Sequence, residues 1–178
     1  YLHVDLLCWV AEDKPRIVVP DGAPFCDVPS TNWMTEPVGW LADEGITTGV
    51  SPNYFAPERA ITRAEAVTFL WRFSGSPAPA AWAPFTDLSA GAFYVDAAAW
   101  AYENGVINGT SATTFSPYDN LTRAQMALIL HRAADLVDGA EPAGFGDVPA
   151  TASFAPAVDW LAASGTVSYT HLRAHETT

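Results

Sequence analysis

The chain has 178 residues, 49% of them hydrophobic and 12% aromatic, so it carries enough apolar side chain to bury a core rather than stay disordered. Twenty acidic residues against eight basic ones give a net charge of −12, which excludes nucleic acid or an anionic membrane surface as the main partner, because both require a basic face. An anionic ligand must therefore be held by a few local arginines.

Residues 1–24 open with an apolar stretch around Trp9 and pass through Pro15, Pro20 and Pro24. They read as an N-terminal linker or the end of an upstream domain, with a short strand pair as the other reading. Cys8 and Cys26 are the only cysteines; a single disulfide is the one pairing open to them, and neither has zinc-site spacing. No apolar run reaches the roughly 18 residues of a membrane span. No charged leader precedes an apolar stretch, so no signal peptide is visible and the chain reads as an internal fragment.

From Phe25 the sequence repeats. Phe25-Cys-Asp27-Val, Phe85-Thr-Asp87-Leu and Phe145-Gly-Asp147-Val stand sixty residues apart. Trp40, Trp100 and Trp160 keep that step, as do Gly45, Gly105 and Gly165, and the pairs Gly49/Gly109, Phe55/Phe115 and Pro57/Pro117. Coincidence on this scale means tandem structural units.

Each unit predicts helix, loop, helix. Met34, Val38 and Leu41 form a helical stripe matched by Tyr94, Ala98, Ala101 and by Phe154, Val158, Leu161. Gly45, Gly105 and Gly165 fall where a left-handed C-cap is wanted. Ala66, Phe69, Leu70 and Phe73, matched by Met126, Ile129, Leu130 and Ala133, predict a largely buried second helix. A unit of about fifty residues is small to stand alone, so the units must bury these helices against one another. Ser74 to Pro84 and Asp138 to Gly144 read as the joints.

The third unit keeps step only to Val167. Position 169 is Tyr where glycine is due, and residues 168–178 match nothing in the other units, so they read as a tail foreign to the fold. His171 and His175 in that tail have i, i+4 spacing but no third ligand, and read as coincidence rather than as a metal site.

The second helices open on Ile61-Thr62-Arg63-Ala64-Glu65 and Leu121-Thr122-Arg123-Ala124-Gln125. Thr62 and Thr122 are N-cap residues, and Glu65 and Gln125 stand three positions on as capping-box partners. Arg63 and Arg123 fall at the first helical position, where the dipole disfavours a cation. Their recurrence there predicts an anion site shared between guanidinium and helix N-terminus. Arg72 and Arg132, at the far ends of the same helices, read as helix-end stabilisation.

These segments, in this order, resemble the S-layer homology family: Phe-x-Asp-Val-Pro, a Trp-bearing helix ending in Gly, then Gly, Phe-x-Pro and Ile-Thr-Arg-Ala-Glu. The resemblance covers two complete repeats, 25–74 and 85–134, and a partial third, 145–167. It implies an all-α fold in which repeats assemble into a pseudo-threefold bundle. It also implies non-covalent anchoring of an exported bacterial protein to the cell wall, through an anionic, often pyruvylated, secondary polysaccharide attached to peptidoglycan. The motif arginine pairs with the acid group of the sugar; that role carries onto Arg63 and Arg123. The implied location is the extracellular cell surface, and no cofactor is implied.

Other residues weigh less. Trp40, Trp100 and Trp160 offer sugar-stacking faces, but repeated helix aromatics more often fill cores. Asp27, Asp87 and Asp147 read as local caps before the first helix. No two carboxylates recur as an acid and base pair, and no EF-hand spacing is present. Two rival readings are a self-assembling structural unit and an accessory module of a wall-polymer hydrolase.

Overall fold

The computed structural model describes residues 25–134 and 142–166. The linker reading of 1–24, the tail 168–178 with His171 and His175, and most of the second joint lie outside the described residues. Cys26 is disulfide-bonded; the sequence's other cysteine, Cys8, lies outside them as well.

Five helices follow one another: α1 Thr35–Asp43, α2 Arg63–Phe73, α3 Val95–Glu103, α4 Arg123–Ala133 and α5 Ala155–Ala163. First helices repeat at α1, α3 and α5 and second helices at α2 and α4, with the sixty-residue step of the sequence. Among the described residues there is no strand, only the isolated bridges Ser51–Tyr54 and Thr62–Asn120. The fold is all-α, in helical repeats, as the periodicity requires.

The helix starts follow from local chemistry. Thr62 and Thr122 accept from the N–H of Glu65 and Gln125, whose side chains accept in return from the cap N–H at 2.9 Å in both units. Both capping boxes predicted from sequence are therefore formed. The first helices begin differently. Met34, Tyr94 and Phe154 cap them without a side-chain hydrogen bond, and a preceding turn leads in, with Thr35 N–H on Asn32, Val95 on Ala92 and Ala155 on Ala152. Gly45, Gly105 and Gly165 end them at φ of 69°, 67° and 74°, the left-handed conformation glycine adopts without penalty.

Packing runs between units. α2 packs on α3 and α4 packs on α5, so each second helix covers the first helix of the next unit. The main core joins Val67 of α2 to Phe85, Ala97, Ala98, Ala101, Ile107, Phe115 and Ile129. The predicted second-helix stripe needs correction at its far end: Phe73 is 65% exposed, and Ala133 is exposed too. Burial in α2 is concentrated at Arg63, Ala64, Ala66, Val67 and Thr68, its N-terminal half, because that is where the next unit meets it.

Candidate functional site: the unit joints and two grooves

In the first two units the aspartate of the Phe-x-Asp segment clamps the loop that follows that unit's first helix. Asp27 accepts from the N–H groups of Phe55 at 2.9 Å and Ala56 at 2.6 Å. Asp87 does the same with Phe115 at 2.8 Å and Ser116 at 2.7 Å. These bonds span 28 and 29 positions, so the local caps expected for these aspartates give way to long-range clamps. Ala56 and Ser116 sit at φ of 60° and 58°, a conformation that crowds Cβ, and the carboxylate fixes two successive N–H groups there. Burial pushes the Asp87 carboxyl upward, but N–H donation from Phe115, Ser116 and Asp87 itself, with the nearby Arg63 charge, holds it below the usual carboxylate range. Under each clamp two rings meet: Phe25 stacks on Phe55 with centroids 5.6 Å apart, and Phe85 lies tilted against Phe115 at 5.5 Å. A Cβ on Gly109 would lie 2.5 Å from the Phe85 ring, so only glycine fits beneath the loop.

Arg63 is buried, with 6% of its surface exposed. Its Nε donates to the Phe115 carbonyl at 2.8 Å and one terminal nitrogen donates to Asn108 at 2.7 Å, both in the next unit's loop. The guanidinium also lies 5.1 Å from the centre of the Phe115 ring. The first two N–H groups of α2 are taken as well: Arg63 donates to Asp119 and Ala64 to Pro117, each at 2.9 Å. The helix N-terminus expected to meet a foreign anion is thus filled by carbonyls of this chain. Burial lowers the Arg63 pKa, opposed by the carboxylates of Asp119 and Asp87. A cation is placed against the dipole here because carbonyl oxygens converge on it.

Arg123 is placed otherwise. It is exposed, and among the described residues its guanidinium makes no hydrogen bond or ion pair. It lines a groove of about 620 Å³ with Thr122, Met126, Leu130, Phe145, Asp147 and Leu161.

A second groove, of about 770 Å³, opens between the first unit's loop and α2, with Phe93 contributed from the second unit. Arg59, Glu65, Phe69 and Arg72 are on its walls. Arg59 is paired with Glu65. Burial pushes Glu65 up, yet hydrogen bonds from Arg59 and from the Thr62 N–H and hydroxyl hold it below the usual glutamate value. Arg72 donates to the Ile46 carbonyl at 3.1 Å. Each of these guanidinium groups has five N–H donors, so each keeps several for a ligand. Sequence reading missed Arg59 and read Arg72 as a helix end. The available signal for Arg59 is that its counterpart sixty residues on is Asp119, a charge reversal within an otherwise faithful repeat.

The tryptophans are not on either groove's walls. Trp100 packs on the main core, and Trp160 on the α4–α5 core, edge-on to His131. Trp40, 49% exposed, lies against Phe73 at 6.2 Å. Glu65 and Gln125 serve the capping boxes, and Glu65 also faces the larger groove.

Loop clamps, the Arg63 joint and two open grooves define a tandem helical repeat module. Residues 24–67 and 84–127 match the family model of the S-layer homology domain, and the chain belongs to that family. It is 34% identical over 115 residues to an endoglucanase of Bacillus sp. (strain KSM-635), which covers 65% of this chain and 12% of that protein. It is 35% identical over 130 residues to the surface-layer 125 kDa protein of Lysinibacillus sphaericus, covering 73% and 10%. Exoglucanase XynX of Acetivibrio thermocellus is 28% identical over 70% of this chain and 11% of its own length. The chain therefore spans about a tenth of the curated relatives it matches.

Proposed function

We propose that this chain is a non-covalent attachment module that holds an exported bacterial protein at the cell wall by binding an anionic secondary polysaccharide, its pyruvyl acid group taken by the larger groove. The observation that carries this reading is that groove: Arg59 and Arg72 share one open cleft with Phe69 and Phe93. Arginine forks match carboxylate geometry, and aromatic faces match the apolar side of a sugar ring. With a net charge of −12 and only eight basic residues, two arginines in one cleft are a local exception to the overall field.

The relatives support the same reading. The repeats are common to proteins named as glucanases and to proteins named as surface-layer proteins, and attachment is a role both kinds can share where hydrolysis is not. On this reading Arg63 is structural, since it holds the next unit against α2, and Arg123 is a separate cation at a separate groove. Titrating purified secondary polymer against the chain tests the assignment. Arg59→Ala with Arg72→Ala is expected to weaken binding by about tenfold or more, the cost of two charge-assisted hydrogen bonds. Unchanged affinity in that double variant contradicts it.

A further inference from the structure

We propose that Asn108 is a self-modifying site: its side chain closes on the Gly109 nitrogen, releases ammonia and hydrolyses to isoaspartate, which loosens the joint held by Arg63. The sequence carries two Asn-Gly dipeptides, Asn104-Gly105 and Asn108-Gly109. Glycine after asparagine leaves the peptide nitrogen open to attack on the carboxamide, because no Cβ crowds the approach. The fold treats the two dipeptides oppositely.

At the end of α3, the Gly105 N–H donates to the Tyr102 carbonyl at 3.1 Å and the Asn104 side-chain amide donates to the Trp100 carbonyl at 2.8 Å. Both reacting groups are held there. At Asn108 neither is held: among the described residues the Gly109 N–H and the Asn108 carboxamide make no hydrogen bond, and Asn108 is exposed to water. The backbone carbonyl of Asn108 accepts from the Arg63 guanidinium at 2.7 Å. A cation on that oxygen favours loss of the proton from the Gly109 nitrogen of the same peptide, since the resulting negative charge falls largely on the oxygen. The first unit is built otherwise. Thr48 stands at the matching position, and the Gly49 N–H donates to the Thr47 hydroxyl at 3.1 Å.

The Gly109 nitrogen, its proton taken by solvent hydroxide, bonds to the side-chain carbonyl carbon of Asn108. The amide nitrogen on that carbon leaves as ammonia, with a proton from water, and a cyclic imide remains. Water then opens the imide with no change of oxidation state. Opening at the side-chain carbon gives aspartate. Opening at the main-chain carbon gives isoaspartate, in which the chain runs through the side-chain methylene and the former backbone carbonyl becomes a carboxylate. That carboxylate arises on the carbon whose oxygen Arg63 already holds. The backbone, though, gains a methylene next to Gly109, where space is already short: an added Cβ there would lie 2.3 Å from the Ser111 carbonyl and 2.5 Å from the Phe85 ring. Gly109 and the Arg63 contact cannot both keep their places, so the tie between α2 and the second unit's loop weakens. The site stands apart from the larger groove and needs no ligand but water.

The test incubates the full 178-residue chain in mildly alkaline buffer made with oxygen-labelled water. Both asparagines are followed by peptide mapping with electron-transfer fragmentation, which separates isoaspartate from aspartate. Asn108 is expected to become a labelled mixture of the two, at least about tenfold faster than Asn104, whose two hydrogen bonds must first break. In urea that unfolds the chain, the two sites are expected to react at similar rates. Asn108 reacting no faster than Asn104, or keeping its lead in urea, overturns the proposal, as does conversion to aspartate without isoaspartate. The aged chain is expected to unfold at lower urea than the fresh one. Asn108→Thr, which installs the first unit's residue, is expected to be unchanged by the same treatment. No loss in the aged parent, or an equal loss in aged Asn108→Thr, overturns the effect on the joint. No carbohydrate enters the assay, so wall binding and this conversion stand or fall separately.

Discussion

The Nε of Arg63 donates to the carbonyl oxygen of Phe115 at 2.8 Å, across 52 positions of sequence. A second bond to Asn108 and the Phe115 ring complete its surroundings, so one side chain at the start of α2 fixes the loop of the following unit. Removing it leaves two carbonyls without their donor and opens the joint between α2 and α3.

Arg63→Ala is accordingly expected to lower unfolding free energy by about 2–4 kcal/mol, the scale of two buried charge-assisted bonds. Arg63→Lys is expected to recover little, because an ammonium lacks the fork that reaches both carbonyls. Arg123→Ala, at an exposed position, is expected to change stability by less than about 0.5 kcal/mol. Urea unfolding of the three variants measures the difference.

Glycine substitutions are expected to split by position. Gly109→Ala places a Cβ 2.3 Å from the Ser111 carbonyl and 2.5 Å from both the Thr114 carbonyl and the Phe85 ring, so the loop must move. A loss of about 1–3 kcal/mol is expected from the overpacking. Gly39, within α1, has nothing within 4 Å of an added Cβ, and Gly39→Ala is expected to gain about 0.5–1 kcal/mol from helix propensity alone. Thermal unfolding of the pair distinguishes the two outcomes.

Acid is expected to loosen the first joint. Glu65 and Asp87 both have folded pKa values below their ordinary ones. A depressed carboxylate contributes its stability fully above the unfolded pKa, near 4, and loses it as pH falls through the lower folded value. Stability should therefore hold between neutrality and about pH 5 and fall below about pH 4. Asp87→Asn should be less stable at pH 7 and should show a shallower loss in acid. Urea midpoints across that range check both statements.

Much of the architecture is legible in the sequence because it is local. Thr62 with Glu65, Thr122 with Gln125, and the glycines at 45, 105 and 165 act within a turn of their own positions, and the structure shows them as read. What the sequence hides is long-range. The dipole argument marks Arg63 as needing an electronegative partner, and the partner is a carbonyl from the next unit, which no local pattern announces. Asp27 and Asp87 likewise act 28 residues away, on loop N–H groups rather than on an adjacent helix. Arg59 escapes for the opposite reason: a search for what repeats discards the position where Asp119 replaces it. The exposed end of the α2 stripe, Phe73, reflects burial by the next unit at the other end of the helix.

Attachment through the larger groove is tested most directly by co-sedimentation of the chain with purified wall sacculi, before and after chemical removal of the secondary polymer. The chain should pellet with intact sacculi and stay in solution with stripped ones, and Arg59→Ala with Arg72→Ala should stay in solution with both. Equal pelleting with stripped sacculi contradicts polysaccharide-mediated anchoring, and undiminished pelleting of the double variant with intact sacculi contradicts the groove.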